Sequence, residues 1–295
     1  MSERGSRPRA FAWVILSYVV ALALAGVVAR WGAPWVPGGS FGLVLAADVV
    51  ATCVVFAFSV AFDNSSFYDA YWSVAPIAIA PWLLTLGPGA NRERQVLVVG
   101  LIVAWGVRLT WNWARGWTGL GHEDWRYRDI RDKTKKAYWP ASFLGIHLFP
   151  TVLVYLGCLP LWTSLVDSPA PLGPLDALAA IVTAGAIVIE ATADNQLRRF
   201  VLSRPAAGTL MSEGLWRYSR HPNYFGELSF WWGLSLFGFA AGGMPWWGFS
   251  GALAMTGLFV FVSGPLLDRR STARRPGYAE HMKRTSMLIP LPPKR

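Results

Sequence analysis

The sequence predicts an all-α, polytopic membrane helix bundle of about eight transmembrane helices, with both termini cytoplasmic. Three observations predict it. Hydrophobic residues make up 54% of the 295 and charged residues only 15%, against about a quarter charged in a soluble domain. The apolar residues gather into runs long enough to cross a bilayer, which takes roughly 17–25 residues per helix. The basic residues collect at alternate run ends, as the inside-positive bias of membrane proteins demands.

The runs lie near 11–29, 41–62, 71–86, 95–113, 142–166, 175–193, 224–243 and 246–267. The first follows Arg4, Arg7 and Arg9 and resembles a signal peptide. Its 19 uncharged residues exceed the usual apolar region of about 7–15, which makes it a span. The third run is short and must borrow from its flank; the count falls to seven if it only dips into the bilayer. Pro169, Pro171 and Pro174 predict a stiff outer loop before the sixth run. With the N-terminus inside, segments 1–10, 114–141, 194–223 and 268–295 share one side and hold 23 of the 27 Lys and Arg residues. Residues 1–40 hold the first span with its loop, and 41–295 the remaining membrane domain.

Composition also excludes function classes. The net charge of +10 follows from membrane topology and attraction to anionic lipid, so no nucleic-acid partner is expected; the same charge offers a basic floor to an anionic cofactor. Cys53 and Cys158 sit inside apolar runs and read as buried thiols, not as a disulfide scaffold. His122, His147, His221 and His281 show no metal-ligand spacing, which removes the His-clustered di-iron class and leaves no metal site expected. His147, within a span, reads as a packing residue. A Gly-x-Gly-x-x-Gly turn and a phosphate loop are both absent, so a nucleotide would be held by spans and loops.

Four stretches carry chemistry. Gly214 to Glu227 (GLWRYSRHPNYFGE) sits where a basic loop enters the seventh run. Pro222 suits a first helical turn, whose free amides favour an anion, and Arg217, Arg220 and His221 add positive charge there. Asn223 and Glu227 share a helix face, with Tyr224 beside them. A carboxylate such as Glu227 inside a span is costly unless it has a task or a partner; an ion pair to a loop Arg is the structural alternative. In the second stretch, Glu190, Asp194 and Arg198 fall four apart on one helix face. They form either a solvated ion-paired helix end or a carboxylate for ribose hydroxyls beside an Arg for phosphate. The third, Asp63 to Pro76, brings Asp69 among aromatic rings, which would raise its pKa and keep a proton on it; an interfacial aromatic belt is the alternative. The fourth joins Arg108–Trp113, inside a span, to the aromatic and basic loop Glu123–Asp129.

The Arg-His-Pro-Asn-Tyr-Phe-Gly-Glu segment, with Glu-Asp-Trp-Arg-Tyr-Arg and the closing Thr285-Ser-Met-Leu-Ile-Pro290, resembles the steroid 5α-reductase superfamily, in particular its bacterial branch. The resemblance runs from about Asp63 to Pro290 and makes the first span an addition. It implies a multi-span enzyme of the bacterial inner membrane that uses NADPH to reduce a carbon–carbon double bond conjugated to a carbonyl. Its substrate would be a lipophilic small molecule, steroid-like, isoprenoid or a fatty enone, taken from membrane lipid. By the same resemblance, Asn223 and Glu227 match the cofactor-holding Asn and Glu, and Asp194 and Arg198 the Asp and Arg of the preceding span. Arg270 and Arg274 fall where further cofactor contacts are placed, and Arg220, His221 and Tyr224 lie in the same segment. The family's substrate-side Gln-Glu pair corresponds to Tyr68-Asp69, anchored by Pro76, and its substrate-side Tyr falls near Asn112. The cofactor half thus matches, whereas the carbonyl-polarising half is rebuilt.

Two other classes share features with this chain. Membrane methyltransferases for prenylcysteine or phospholipid have a similar Arg-His-Pro-x-Tyr-x-Gly segment followed by Glu and use S-adenosylmethionine, but leave the Asp194–Arg198 face unassigned. A non-catalytic lipid-binding protein leaves the intramembrane ionisable groups without a task.

Overall fold

A computed structural model describes residues 6–294; Arg4 lies outside the described residues. Among these the chain is all-helical and forms no strand, only one isolated parallel bridge between Ser219 and Ser286. Six helices are long and apolar enough to cross a membrane: Arg7–Trp31, Gly39–Ala61, Arg92–Gly116, Trp125–Asp167, Pro174–Leu202 and Trp246–Arg274. They make this a multi-pass integral membrane protein. The expected spans at 71–86 and 224–243 do form helices, but neither is among the six. Tyr71–Leu84 has only 14 residues, about 21 Å of helix against a hydrocarbon core of about 30 Å. Pro222–Ala240 carries Glu227 and three glycines on a largely buried helix, so protein rather than lipid surrounds much of it.

The chain divides into two compact units. The first comprises Met1–Thr85 and Trp105–Cys158. It holds α1 (Arg7–Trp31), α2 (Gly39–Ala61), α3 (Tyr71–Leu84), the later part of α4 (Arg92–Gly116), α5 (Trp125–Thr134), α6 (Tyr138–Ser142) and α7 (Phe149–Cys158). α1 buries only Ala10, Val14, Ser17 and Ala21, a stripe of small side chains repeating every three or four residues, the spacing that lets helices approach closely in lipid. Trp13, Ile15, Leu16, Val19 and Leu24 remain exposed, an arrangement that suits acyl chains. Two polar ties fix α1: the Tyr18 hydroxyl donates to the Phe67 carbonyl at 2.7 Å, and Arg7 to the Ala114 carbonyl at 2.9 Å. Cys158 is buried as expected, but Cys53 is exposed on α2, because the helix buries the opposite stripe through Ala47, Ala51 and Val55.

The second unit comprises Leu86–Ala104 and Leu159–Arg295. It holds the start of α4, then α8 (Pro174–Leu202), α9 (Pro222–Ala240), α10 (Ser250–Leu258), α11 (Gly264–Arg274) and α12 (Tyr278–Arg284). α8 and α9 pack closely because two glycines of α9 face α8. A Cβ on Gly226 would come within 2.7 Å of Glu190 Cβ and 2.9 Å of the Ala186 carbonyl, and one on Gly233 would overlap the Thr183 hydroxyl. The proline-rich loop before α8 is pinned from within. Arg94, fully buried, donates to both carboxylate oxygens of Asp176 at 2.7 and 3.0 Å and to the Ala170 and Pro171 carbonyls.

Three π-helical turns interrupt the helices: Phe143–Leu148, Trp162–Asp167 and Phe259–Ser263. Two of them end two residues before a proline that lies within the following helix, Pro150 and Pro265, while the third closes its helix before the extended Ser168 and Pro169. Proline has no N–H for the carbonyl four residues back, and its ring crowds that carbonyl. Widening the preceding turn relieves both problems.

Candidate functional site

In the second unit the cofactor-side candidates gather around the N-terminus of α9. Asp194 on α8 accepts from the Asn223 side-chain amide at 3.3 Å. One turn further along α9, Glu227 accepts the Trp231 indole N–H at 2.9 Å. Asp194, Glu227 and Glu190 are all buried, the last lying against Gly226. Three carboxylates and an amide thus share one tight helix pair. Arg198 and Arg270 are half-buried and Arg274 is exposed, all near the ends of α8 and α11. Such a donor set suits a dinucleotide, with carboxylates for hydroxyls or an amide and guanidinium groups for phosphates.

Arg220 and His221 have a more specific placement than the sequence indicates. Both converge on Asp268 of α11, a residue that the motif reading did not single out. Arg220 donates to the two carboxylate oxygens at 3.2 and 2.7 Å and uses its third nitrogen on the Met282 and Thr285 carbonyls. His221 Nε2 meets Asp268 Oδ1 at 3.0 Å, and the Tyr278 hydroxyl donates to the same oxygen at 2.6 Å. Burial and this bond push the Tyr278 hydroxyl pKa up. The His221 ring stacks on Tyr224 at 5.4 Å, and Tyr224 meets Phe259 edge-on. The backbone adds to the joint. The Arg220 N–H donates to the Ser286 carbonyl and the His221 N–H to that of Met287, at 2.9 and 3.1 Å. The Arg-His-Pro and Thr-Ser-Met-Leu segments, 65 residues apart in sequence, therefore lie side by side. Of the positive groups expected to meet a phosphate here, Arg220 and His221 already engage Asp268, and Arg217 is exposed.

The first unit contains the substrate-side candidates, each turned to a different partner. The Tyr68 hydroxyl is 2.7 Å from Thr151, which is itself 2.7 Å from Thr52. Asp69, just before α3, accepts from the Tyr127 hydroxyl at 2.6 Å. Asn112 accepts from Arg115 one turn on, at 3.0 and 2.6 Å. Burial pushes the Asp69 carboxyl up to about 6, in the direction anticipated, with the Tyr127 hydrogen bond pulling the other way. Tyr127 belongs to the aromatic and basic loop, and this contact gives that loop a role at Asp69. Other members of the loop are structural. Glu123 accepts from the Ser65 N–H at 2.9 Å and from Tyr138 at 3.1 Å, while Asp124 caps α5 through the Arg126 N–H. His147 is a packing residue, held between the Ser142 carbonyl at 3.0 Å and Ser59 at 2.9 Å. Among the described residues no cluster of His, Cys, Asp and Glu could hold a metal ion.

Sequence reasoning missed Asp268 and Tyr278, whose only signal was a carboxylate interrupting the apolar end of the last span. It also missed Asp48, which accepts from the Tyr71 hydroxyl at 2.8 Å within α2.

An uncharacterised protein of Schizosaccharomyces pombe is 27% identical over 80% of this chain and 76% of its own length. No solved structure matches the chain. The family described as "Protein of unknown function (DUF1295)" matches residues 55–285, from within α2 through α12 to the segment that pairs with Arg220. The chain belongs to that DUF1295 family.

Proposed function

We propose that this protein is a membrane-embedded, NADPH-dependent reductase of a carbon–carbon double bond conjugated to a carbonyl in a lipophilic substrate. It would be a member of the bacterial branch of the steroid 5α-reductase superfamily, in the inner membrane. The observation that carries the reading is the Asp194–Asn223 hydrogen bond between α8 and α9. It joins the two stretches that the resemblance assigns to the cofactor, and Glu227 and Glu190 lie buried on the same helix pair.

NADPH would be held by Asp194, Asn223, Tyr224 and Glu227, with Arg198, Arg270 and Arg274 for its phosphates. When bound, the cofactor supplies the hydride. The protein's own contribution is positioning and charge. Asp69 would hydrogen-bond the substrate carbonyl as negative charge builds on its oxygen, with Tyr127 orienting the carboxyl. Asp69 can donate only while it keeps its proton, below a pH of about 6; once ionised it holds the Tyr127 hydroxyl on its own carboxylate. Tyr68, bonded to Thr151, and Asn112, bonded to Arg115, would shape the site from behind. Arg220 and His221 would act through Asp268, fixing the entry of α9.

The distribution of basic residues supports a cytoplasmic N-terminus and C-terminus and eight spans, with α3 and α9 counted as crossings sheltered by their neighbours. The deciding experiment is thermal stabilisation of the detergent-purified protein by NADPH, NADH and S-adenosylmethionine in parallel. A shift with NADPH is expected. A shift with S-adenosylmethionine alone would replace reduction by methyl transfer, and no shift with any of the three would remove the cofactor.

A further inference from the structure

A pocket of about 320 Å³ opens in the first unit between the end of α2 and the segment that leads into α5. Charged groups build it: the carboxylates of Asp63, Glu123 and Asp132, the guanidinium groups of Arg128 and Arg131, and the His122 imidazole. These groups do not satisfy one another. Arg131 is engaged within the protein, donating to Asp63 at 2.8 Å and to Glu123 Oε1 at 3.4 Å, with its guanidinium over the Tyr138 ring. Glu123 Oε1 also takes the Ser65 N–H and the Tyr138 hydroxyl. Glu123 Oε2 takes no hydrogen bond; the side chain is only 12% exposed, yet this oxygen is not sealed from solvent. Arg128 and Asp132 stand one helical turn apart on α5 and line the same pocket. Among the described residues neither has an ion-pair partner, not even the other. Asp69 and Tyr127 do not line the pocket, so it is separate from the proposed reductase centre and does not depend on it.

We propose that this pocket binds a phosphoethanolamine group, with its ammonium against Glu123 Oε2 and Asp132 and its phosphate against Arg128 and His122. Charge selects both halves. Ionised carboxylates only accept hydrogen bonds, so the cation that meets them must carry N–H groups; a primary ammonium has them and a quaternary one does not. Arg128 and His122 call for an anion, and a guanidinium matches phosphate oxygens with paired donors. Side chains four apart on a helix stand about 5–6 Å from each other at Cβ, which suits an ammonium and a phosphate joined through two carbons. Size agrees, since pockets for small molecules begin at about 300 Å³. Position points to the lipid-borne form of the group. Asp63 follows Ala61, the last residue of the α2 span, by two positions, and Val60 is exposed just before it. α5 is a polar helix that buries no residue. The pocket thus lies where an apolar span gives way to polar chain, level with phospholipid headgroups.

The test uses the full chain in detergent micelles, incubated with phosphatidylethanolamine, phosphatidylcholine or phosphatidylglycerol of identical acyl chains and read by native mass spectrometry. Phosphatidylethanolamine should be retained about tenfold better than either, the scale of one charge-assisted hydrogen bond. Asp132→Asn should erase the advantage over phosphatidylcholine, and Arg128→Gln should weaken retention of phosphatidylethanolamine. Gly121→Leu should block the pocket that Gly121 lines; a Cβ there meets nothing within 4 Å. All three positions are exposed, and an unchanged melting midpoint verifies folding. Soluble phosphoethanolamine that displaces the lipid at equal concentration would make the free molecule the ligand, whereas displacement by the lipid alone makes this a headgroup site. Equal retention of the three lipids, a preference for phosphatidylglycerol, or a preference that survives both Asp132→Asn and Gly121→Leu in folded protein would each overturn the proposal.

Discussion

Arg220 grips Asp268 with two nitrogens of its guanidinium, at 3.2 and 2.7 Å, across 48 residues of sequence. The same carboxylate also receives His221 and Tyr278, so one buried acid ties the loop before α9 to α11 and α12. Such a node holds only while every member is present. Removing one partner leaves buried charge uncompensated, typically at a cost of about 3–5 kcal/mol.

Asp268→Asn should therefore lower the melting midpoint sharply and release the segment after α11. Limited proteolysis of the detergent-solubilised protein is the check: new cleavage is expected between residues 275 and 294, with α8 and α9 left intact. A cleavage pattern identical to the parent protein would show that the node carries no such load.

Gly226 and Gly233 predict a contrast. Alanine at either should destabilise the α8–α9 pair by about 1–3 kcal/mol, the usual cost of overpacking. At Gly233 the obstacle is a side chain, the Thr183 hydroxyl, whereas at Gly226 it includes the Ala186 carbonyl and the Glu190 nitrogen. Thr183→Ala should thus restore much of the stability lost in Gly233→Ala, and nothing comparable should rescue Gly226→Ala. Melting curves of the single and double variants decide it.

The fold was legible in the sequence to the extent that lipid writes a simple signal. Uninterrupted apolar runs and the placement of Arg and Lys located the long helices of Arg7–Trp31 and Gly39–Ala61 within a few residues. The same signal located α3 and α9 as helices within a few residues, but a short helix or one largely buried among its neighbours needs more than an apolar run to be read as a crossing. Two of the π-turns had a sequence cue in Pro150 and Pro265, but a proline marks a broken ladder without saying how the chain repairs it. Asp194 and Asn223 were readable as partners only through their resemblance to known motifs, since 29 residues separate them. Arg220 read as free positive charge because its neutralising carboxylate lies far along the chain. Asp48 carries the same cue as Glu227, an acid inside an apolar run, but its partner Tyr71 lies in another run and no motif links the two.

Asp69 predicts a pH dependence with a definite sign. Its folded pKa of about 6 stands above the unfolded value of about 3.9, so the native state binds more protons in between. Stability should then decline as pH rises from about 4 to about 6 and level off above. Asp69→Asn should flatten that slope, and Tyr127→Phe should move it to higher pH by removing a bond that favours the ionised form. Melting midpoints across pH 4–8, taken as differences from the parent protein, isolate the group. On the proposed function, Asp69→Asn should also abolish reduction while leaving NADPH binding unchanged.

Glu227→Gln tests the cofactor reading. The amide keeps the size of the side chain and can still accept from Trp231, but loses its charge. A hydrogen bond to a charged group contributes about 1.5–3 kcal/mol, so NADPH affinity should fall by about tenfold or more. Titration of nicotinamide fluorescence measures it directly. An unaltered dissociation constant would place Glu227 outside the cofactor site.

The narrow buried stripe of α1 bears on how this protein diverges. Four small side chains, Ala10, Val14, Ser17 and Ala21, do the packing, and the remaining faces ask only to be oily. Such a helix carries little information per residue, because most of its positions accept any of five or six apolar side chains. Its sequence can drift until nothing but the spacing of the small residues survives, while the polar joint around Asp268 cannot. The family match includes Asp268 and leaves α1 out, beginning at residue 55 within α2. Kinship among such proteins will be recognised by polar joints like that around Asp268 and lost first along helices that, like α1, bury only a narrow stripe.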